Sequence, residues 1–115
     1  MRRGEIWWAQ LAPRSGSEQR GRRPVVVLSH DAFNAAARWR SVIVVPLSTA
    51  KKQALRGPTA VAIDQGEGGL REVSIALCHQ VTTLDRAKLV TRVGALGAAT
   101  LSAIESGLKT ALDLG

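Results

Sequence analysis

The chain has 115 residues, of which 45% are hydrophobic and 22% charged, and its formal net charge is +7. These proportions are typical of a single globular domain over residues 1–115 and exclude a disordered chain. The positive charge favours a polyanionic partner, because each phosphate that Lys or Arg neutralises releases counterions. No apolar run approaches the ~20 residues of a membrane span. The single cysteine excludes an internal disulfide, so we expect a cytoplasmic protein with no membrane partner.

Runs of β-branched and aromatic residues predict short strands separated by polar, glycine-rich turns. In chain order, strands are predicted over 5–11, 24–29, 41–47 and 59–64, followed by one long or two short strands over 73–85. Residues 30–40 suit a short helix or turn that Ser29 or Asp31 would cap. Residues 48–58 fit a loop with one helical turn.

The C-terminal segment changes to a helical period and predicts an amphipathic helix over 100–114. Thr100 is the expected N-cap, and Glu105 and Lys109 are expected to pair on the outer face of the helix. Short strands that do not alternate with helices predict a mainly β (α+β) fold, a small antiparallel barrel or curled sheet covered by a helix. The apolar stripe of the helix consists of Leu101, Ile104, Leu108, Ala111 and Leu112.

The stretch GSEQRGRRPVVV (16–27) places charged residues directly before a predicted buried strand. Gly16 and Gly21 have the spacing of a phosphate-binding loop, but Arg22 and Arg23 replace the Lys–Ser/Thr pair, and a strand follows where that motif needs a helix. A nucleotide hydrolase with this phosphate-binding motif is therefore excluded. Cysteine and histidine are too few for a structural zinc site and there is no EF-hand pattern, so we expect no metal and no cofactor.

Three separated stretches together resemble one known family. They are RGEIWWAQLAPRSGSEQRGRRPVVVLSHDAFN (3–34), VIVVPLST (42–49) and ALCHQVTTLDRAKL (76–89). In order and spacing they resemble the MazF/PemK toxins, the growth-inhibiting endoribonucleases of bacterial toxin–antitoxin pairs. The resemblance implies an SH3-like antiparallel barrel with a short helix after the second strand and a C-terminal helix. It also implies a homodimer, single-stranded RNA as substrate and an acidic antitoxin as partner, with operator DNA contacted only through the antitoxin complex.

The same resemblance implies roles for individual residues. Arg23, just before the proline, corresponds to the arginine that contacts the reacting phosphate, and Ser48 corresponds to the hydroxyl residue that partners it. Thr49 is an adjacent substitute for Ser48. Glu18 falls where some members need a carboxylate, and His79 falls where a plasmid-encoded member has an acidic catalytic residue, so either is a candidate general base. The RNA contacts implied or expected are Arg20, Arg22, Lys51, Lys52 and Gln80.

RNA cleavage without metal uses the 2′-OH of the substrate as the nucleophile. The protein then needs only a base, a cation for the phosphate and a proton donor. The expected products are a cyclic or 3′ phosphate and a 5′-OH. Two alternatives stay open, a non-catalytic nucleic-acid-binding barrel and a gyrase poison of the CcdB type. The second relies on an aromatic-containing tail, whereas this chain ends TALDLG.

Three further residues have expected roles or effects. Thr82 replaces an arginine that many relatives have after the Gln–Val pair, and the loss of that charge weakens the expected binding of RNA. Trp39, between two arginines, is the tryptophan that we consider for stacking on a base. Cys78 is expected to pack as a small apolar residue.

Overall fold

A computed structural model of the protein describes residues 1–11 and 21–115. Those residues form one mainly antiparallel β structure with a short helix after the second strand and a longer helix at the C-terminus, as predicted. The strands are β1 (Glu5–Leu11), β2 (Gly21–Val27), β3 (Ser41–Ser48), β4 (Ala60–Ile63), β5 (Ser74–Leu77), β6 (Thr82–Asp85) and β7 (Leu89–Ala95), and the helices are α1 (Asp31–Asn34) and α2 (Ala98–Leu112).

Strand β3 is the centre of the sheet, whose strand order is β4–β5–β3–β2–β1–β7. Along one edge β3 pairs with β2, and along the other it pairs first with β6 and then with β5. Alternate residues of β3 enter two apolar clusters, because successive side chains of a strand point to opposite faces. Val42 and Val44 belong to one cluster, and Val45 and Leu47 belong to the other, which also contains Ile104 of α2.

The connection between β4 and β5 closes the curl of the sheet against β7. Gly68 and Gly69 in this connection have φ values of 62° and 80°, which favour glycine. The backbone of Gly68 lies so close to Gly94 of β7 that a Cβ on Gly94 would overlap the Gly68 carbonyl oxygen. The two ends of the strand order therefore come together through a backbone contact.

Strand β2 begins at Gly21, three residues before the predicted start at residue 24. Arg22 and Arg23 consequently lie on a strand that pairs with β1, rather than in the preceding loop. Pro24 is inside this strand, where its missing N–H is tolerated because the pairing of β2 with β3 begins only at Val25 and Pro46. The early start of β2 gives both arginines fixed positions.

The helix α1 is shorter than the predicted segment 30–40, and both predicted caps are wrong. His30 is the N-cap, with its Nδ1 accepting from the backbone N–H two residues on at 2.9 Å. Ser29 is buried and its hydroxyl donates to the Asn34 side chain at 2.6 Å. The guanidinium of Arg86 donates a hydrogen bond to the carbonyl oxygen of Asn34. In a longer helix this carbonyl would accept from a backbone N–H of the next turn, so the side chain of Arg86 takes the place of that helical hydrogen bond.

The helix α2 begins two residues before the predicted start, so Thr100 lies inside it and is not the N-cap. Gly97 occupies the cap position without a side-chain hydrogen bond. Within the described ranges the ion pair of Glu105 is with Arg3, at 2.8 Å, and the predicted pair with Lys109 is not formed. Neither α1 nor α2 has the length and apolarity that crossing a membrane requires.

Cys78 is fully buried beneath α2, as predicted, and its Sγ donates to the Ile104 carbonyl oxygen at 3.6 Å. Burial raises the pKa of this thiol to about 11. Because the thiolate is the reactive form, we expect the folded protein to resist iodoacetamide at about pH 8 and the guanidinium-unfolded protein to be alkylated quickly. Mass spectrometry of the intact chain measures both. Rapid labelling under native conditions, with an unchanged circular dichroism spectrum, would contradict this environment.

Candidate active site

Strands β2 and β3 bring the two central predicted residues together. The antiparallel ladder between them ends at the pair Val25 and Pro46, two residues away from Arg23 on one strand and from Ser48 on the other. Both residues line one pocket of about 310 Å³, the Arg23–Ser48 pocket. Residues far apart in the sequence thus meet at the end of the central strand.

Arg23 provides the positive charge of this pocket. Its side chain is half-buried, and the desolvation lowers its pKa from the ordinary arginine value, although an arginine remains charged at neutral pH. No carboxylate in ranges 1–11 and 21–115 forms an ion pair with it. A partly desolvated guanidinium attracts a phosphate more strongly than one in bulk water, because the effective dielectric constant is lower.

Ser48 is half-buried and its hydroxyl orientation is set locally. The Oγ accepts from the backbone N–H of Ala50 at 3.1 Å. A hydroxyl that accepts one hydrogen bond keeps its own hydrogen for donation to a ligand. Thr49, the predicted substitute, is exposed and also lines the Arg23–Ser48 pocket. The site therefore contains two adjacent hydroxyl groups beside the arginine.

A second pocket of about 390 Å³ adjoins Arg23 from the side of β6. Gln80, a predicted RNA contact, lines it, and so does Thr82, the residue at which this chain departs from many relatives. Arg23 therefore lies between two pockets. The structure places Gln80 in the same groove as the arginine.

Arg22, a predicted RNA contact, also lines the Arg23–Ser48 pocket, whereas His79, Lys51 and Lys52 do not. His79 is exposed in the 3₁₀ turn Cys78–Gln80 and does not line the pocket, and desolvation together with the positive charge of Arg56 lowers its pKa. Lys51 and Lys52 are exposed at the start of a 3₁₀ segment and line neither of these two pockets. Two predicted residues, Glu18 and Arg20, lie outside the described residues.

Glu72 is the site residue that the sequence analysis missed. It lines the Arg23–Ser48 pocket from the segment before β5, and its carbonyl oxygen accepts from the Ser74 hydroxyl at 3.1 Å. Strand β5 pairs with the end of β3, with Ile75 opposite Ser48, and this pairing carries Glu72 to the site. In the sequence Glu72 belongs to a polar, glycine-rich turn. Only its position directly before a predicted strand could have indicated a place in the site.

Trp39 lies away from this site. Its ring stacks on Phe33 with a centroid distance of 4.7 Å, and both side chains are exposed. This aromatic pair precedes the start of β3, whereas Ser48 ends that strand, which itself spans on the order of 20 Å at ~3.3 Å per residue, and neither ring lines the Arg23–Ser48 pocket. Base stacking on Trp39 is therefore not part of the Arg23–Ser48 pocket.

Comparison with known proteins identifies the family. The family model that describes PemK-like, MazF-like toxins of type II toxin–antitoxin systems matches residues 2–112. Endoribonuclease MazF9 of Mycobacterium tuberculosis is 37% identical over 117 residues, covering 99% of this chain and 98% of the relative. Endoribonuclease EndoA of Bacillus subtilis is 32% identical over 114 residues, covering 99% and 96%.

A solved structure of a mycobacterial endoribonuclease in complex with its cognate antitoxin aligns with a TM-score of 0.74. The alignment has 25% identity and covers 100% of this chain and 95% of that chain. The predicted family and the predicted fold are both confirmed. The chain belongs to the PemK-like, MazF-like toxin family of type II toxin–antitoxin systems.

Proposed function

We propose that this toxin is a metal-independent, sequence-selective endoribonuclease that cuts single-stranded RNA. The endoribonuclease names of its relatives support the reaction class. The observation that carries the mechanism is that Arg23 and Ser48 line one pocket. In that pocket the 2′-OH of a bound ribose gives its proton to a base and attacks its own 3′ phosphate, and the bond to the 5′ oxygen of the next nucleotide breaks. The leaving 5′ oxygen takes a proton from solvent, so a cyclic phosphate and a 5′-OH result.

Arg23 binds the reacting phosphate. Its planar guanidinium donates two parallel hydrogen bonds to the non-bridging oxygens, on which negative charge increases in the transition state. The Ser48 hydroxyl donates a further hydrogen bond to the same group. Both donors are held by strands, so little reorganisation is needed when the charge develops.

The proton of the 2′-OH requires an acceptor. Arg23 is a poor base, because a guanidinium stays protonated at neutral pH even with a lowered pKa. We assign this role to a carboxylate, either Glu18 as predicted from the sequence or Glu72, which lines the pocket. His79 was the alternative from the sequence, and its position outside the pocket lining favours a carboxylate.

Two protein partners belong to this proposal. We expect a homodimer, and we expect an acidic antitoxin segment to lie over the basic groove and order on binding. The net charge of +7 supports an acidic partner, and one similar endoribonuclease has been solved with its cognate antitoxin. Contact with operator DNA is expected only through the antitoxin complex.

The test is incubation of the folded protein with a long RNA in excess EDTA. We expect discrete cuts at one short sequence, with new 5′ ends that polynucleotide kinase labels without prior phosphatase treatment. Sequencing of these ends identifies the recognised bases. Intact RNA, at protein concentrations where circular dichroism shows the folded state, would contradict the proposal.

A further inference from the structure

A larger pocket adjoins the Arg23–Ser48 pocket at the open end of the curled sheet. This barrel mouth has a volume of about 570 Å³ and lies between β1, β2 and β7 and the segment 69–74. Trp8, Arg22, Thr49 and Glu72 line both pockets. The two pockets are therefore contiguous, and a chain bound in one can extend directly into the other.

Arg22 and Trp8 form a cation–π pair in the barrel mouth, called here the Arg22–Trp8 surface. The guanidinium carbon of Arg22 lies 5.3 Å from the centroid of the Trp8 ring, and its Nη2 donates to the Thr91 hydroxyl at 3.3 Å. These two contacts hold an exposed guanidinium in one orientation, while Trp8 keeps 36% of its surface exposed. Aromatic rings and guanidinium planes are the surfaces on which unpaired bases stack.

The charges of the barrel mouth suit a nucleotide better than an acidic peptide. Among residues 1–11 and 21–115, the arginines that line it are Arg22, Arg71 and Arg92, and the last is paired with Glu5 at 2.8 Å. Glu72 is the carboxylate that the described part of the chain contributes to the lining, and it would repel the side chains of an acidic peptide. A base, in contrast, can donate an exocyclic amino hydrogen to a carboxylate while its phosphate binds arginine.

We propose that the barrel mouth is a base-binding subsite for a nucleotide adjacent to the cleaved bond. The base stacks on the Arg22–Trp8 surface and the phosphate of that nucleotide binds Arg71. This inference rests on the proposed function, because it takes single-stranded RNA as the ligand. It assigns to Arg22 a role in reading RNA, whereas Arg23 acts on the phosphate that reacts.

The experiment measures how affinity grows with RNA length. Oligonucleotides carry one 2′-deoxy residue at the mapped cleavage position, which prevents cutting, and are extended by one nucleotide at a time on either side. We expect one extension to tighten Kd by about tenfold, measured by fluorescence anisotropy. Arg22→Gln and Trp8→Leu should remove that step, so that each variant binds the shorter and the extended RNA with equal Kd. An abasic nucleotide at that position should remove the step in the unmodified protein.

Arg38→Gln removes one exposed positive charge outside the mouth and serves as the matched control, which should keep the step. Thr91→Val is the second variant if Trp8→Leu fails to fold, and it should weaken the step. An unchanged step in Arg22→Gln, or an equal loss of affinity at every RNA length, would overturn the subsite. The subsite would also be overturned if an oligoglutamate peptide bound the unmodified protein but not Arg22→Gln, while Arg22→Gln kept the gain in RNA affinity from the added nucleotide. Failure of the proposed function would differ, since the unmodified protein would then leave the shortest unmodified RNA uncut.

Discussion

Arg23→Ala is expected to lower the single-turnover rate of RNA cleavage by about 1,000-fold, because it removes the cation that binds the charge developing on the phosphate. Arg23→Lys should lower it by roughly 100-fold, since a point charge cannot form two parallel hydrogen bonds. Ser48→Ala should lower the rate by a smaller factor than Arg23→Ala, because it removes one neutral donor. The fold should persist in all three, because no carboxylate in the described residues pairs with Arg23.

The assay uses the RNA sequence identified by end mapping, with enzyme in excess and EDTA present. Arg38→Ala is the matched control, since it also removes one arginine from the surface but lies outside both pockets. Its rate should equal that of the unmodified protein. If Arg23→Ala cleaves at the control rate while its melting temperature is unchanged, Arg23 does not bind the reacting phosphate.

Gly94→Ala is expected to destabilise the protein by about 3 kcal/mol, because the added Cβ would overlap the carbonyl oxygen of Gly68. The overlap involves backbone on both sides, so no flexible side chain can move to relieve it. Either β7 or the β4–β5 connection must shift, which would open the curl of the sheet at the barrel mouth. For a domain of this size the melting temperature should fall by roughly 12 °C.

Gly97→Ala is the control for this substitution. A Cβ at Gly97 would meet only a Glu67 carboxylate oxygen, at an ordinary 3.8 Å, so we expect a cost of about 1 kcal/mol or less from the altered helix cap. Differential scanning calorimetry compares the two variants directly. Equal melting temperatures for both would show that the contact between Gly68 and Gly94 does not hold the sheet closed.

Much of the fold could be predicted from local pattern. The strands before residue 85 and the C-terminal helix appear where hydrophobic period and turn residues place them, within a few residues at each end. Strand β7 was not predicted, although Val90, Thr91 and Val93 are the β-branched residues typical of strands. The predicted start of β2, residue 24, lies three residues after the observed start at Gly21. Arg22 and Arg23 are typical of a loop in the sequence, but pairing with β1 extends the strand through them.

The site could be predicted only in part, because its residues meet through strand pairing. Arg23 and Ser48 were found from the family resemblance, and the register of β2 and β3 brings them together. Glu72 has no local signal, since its place in the pocket depends on β5 pairing with the end of β3. The cation–π contact between Arg22 and Trp8 likewise joins two strands, and the sequence of either strand alone does not predict it.

The most direct test of the account replaces a single oxygen of the substrate. One 2′-deoxy residue is placed at the mapped cleavage position of an otherwise unmodified RNA, and binding and cleavage are measured in EDTA. We predict that this RNA binds as tightly as the natural one and is not cut, because the attacking group is the missing 2′-OH. Cleavage of the deoxy-substituted RNA at the same bond would show that another nucleophile acts, and it would contradict the reaction assigned to Arg23 and Ser48.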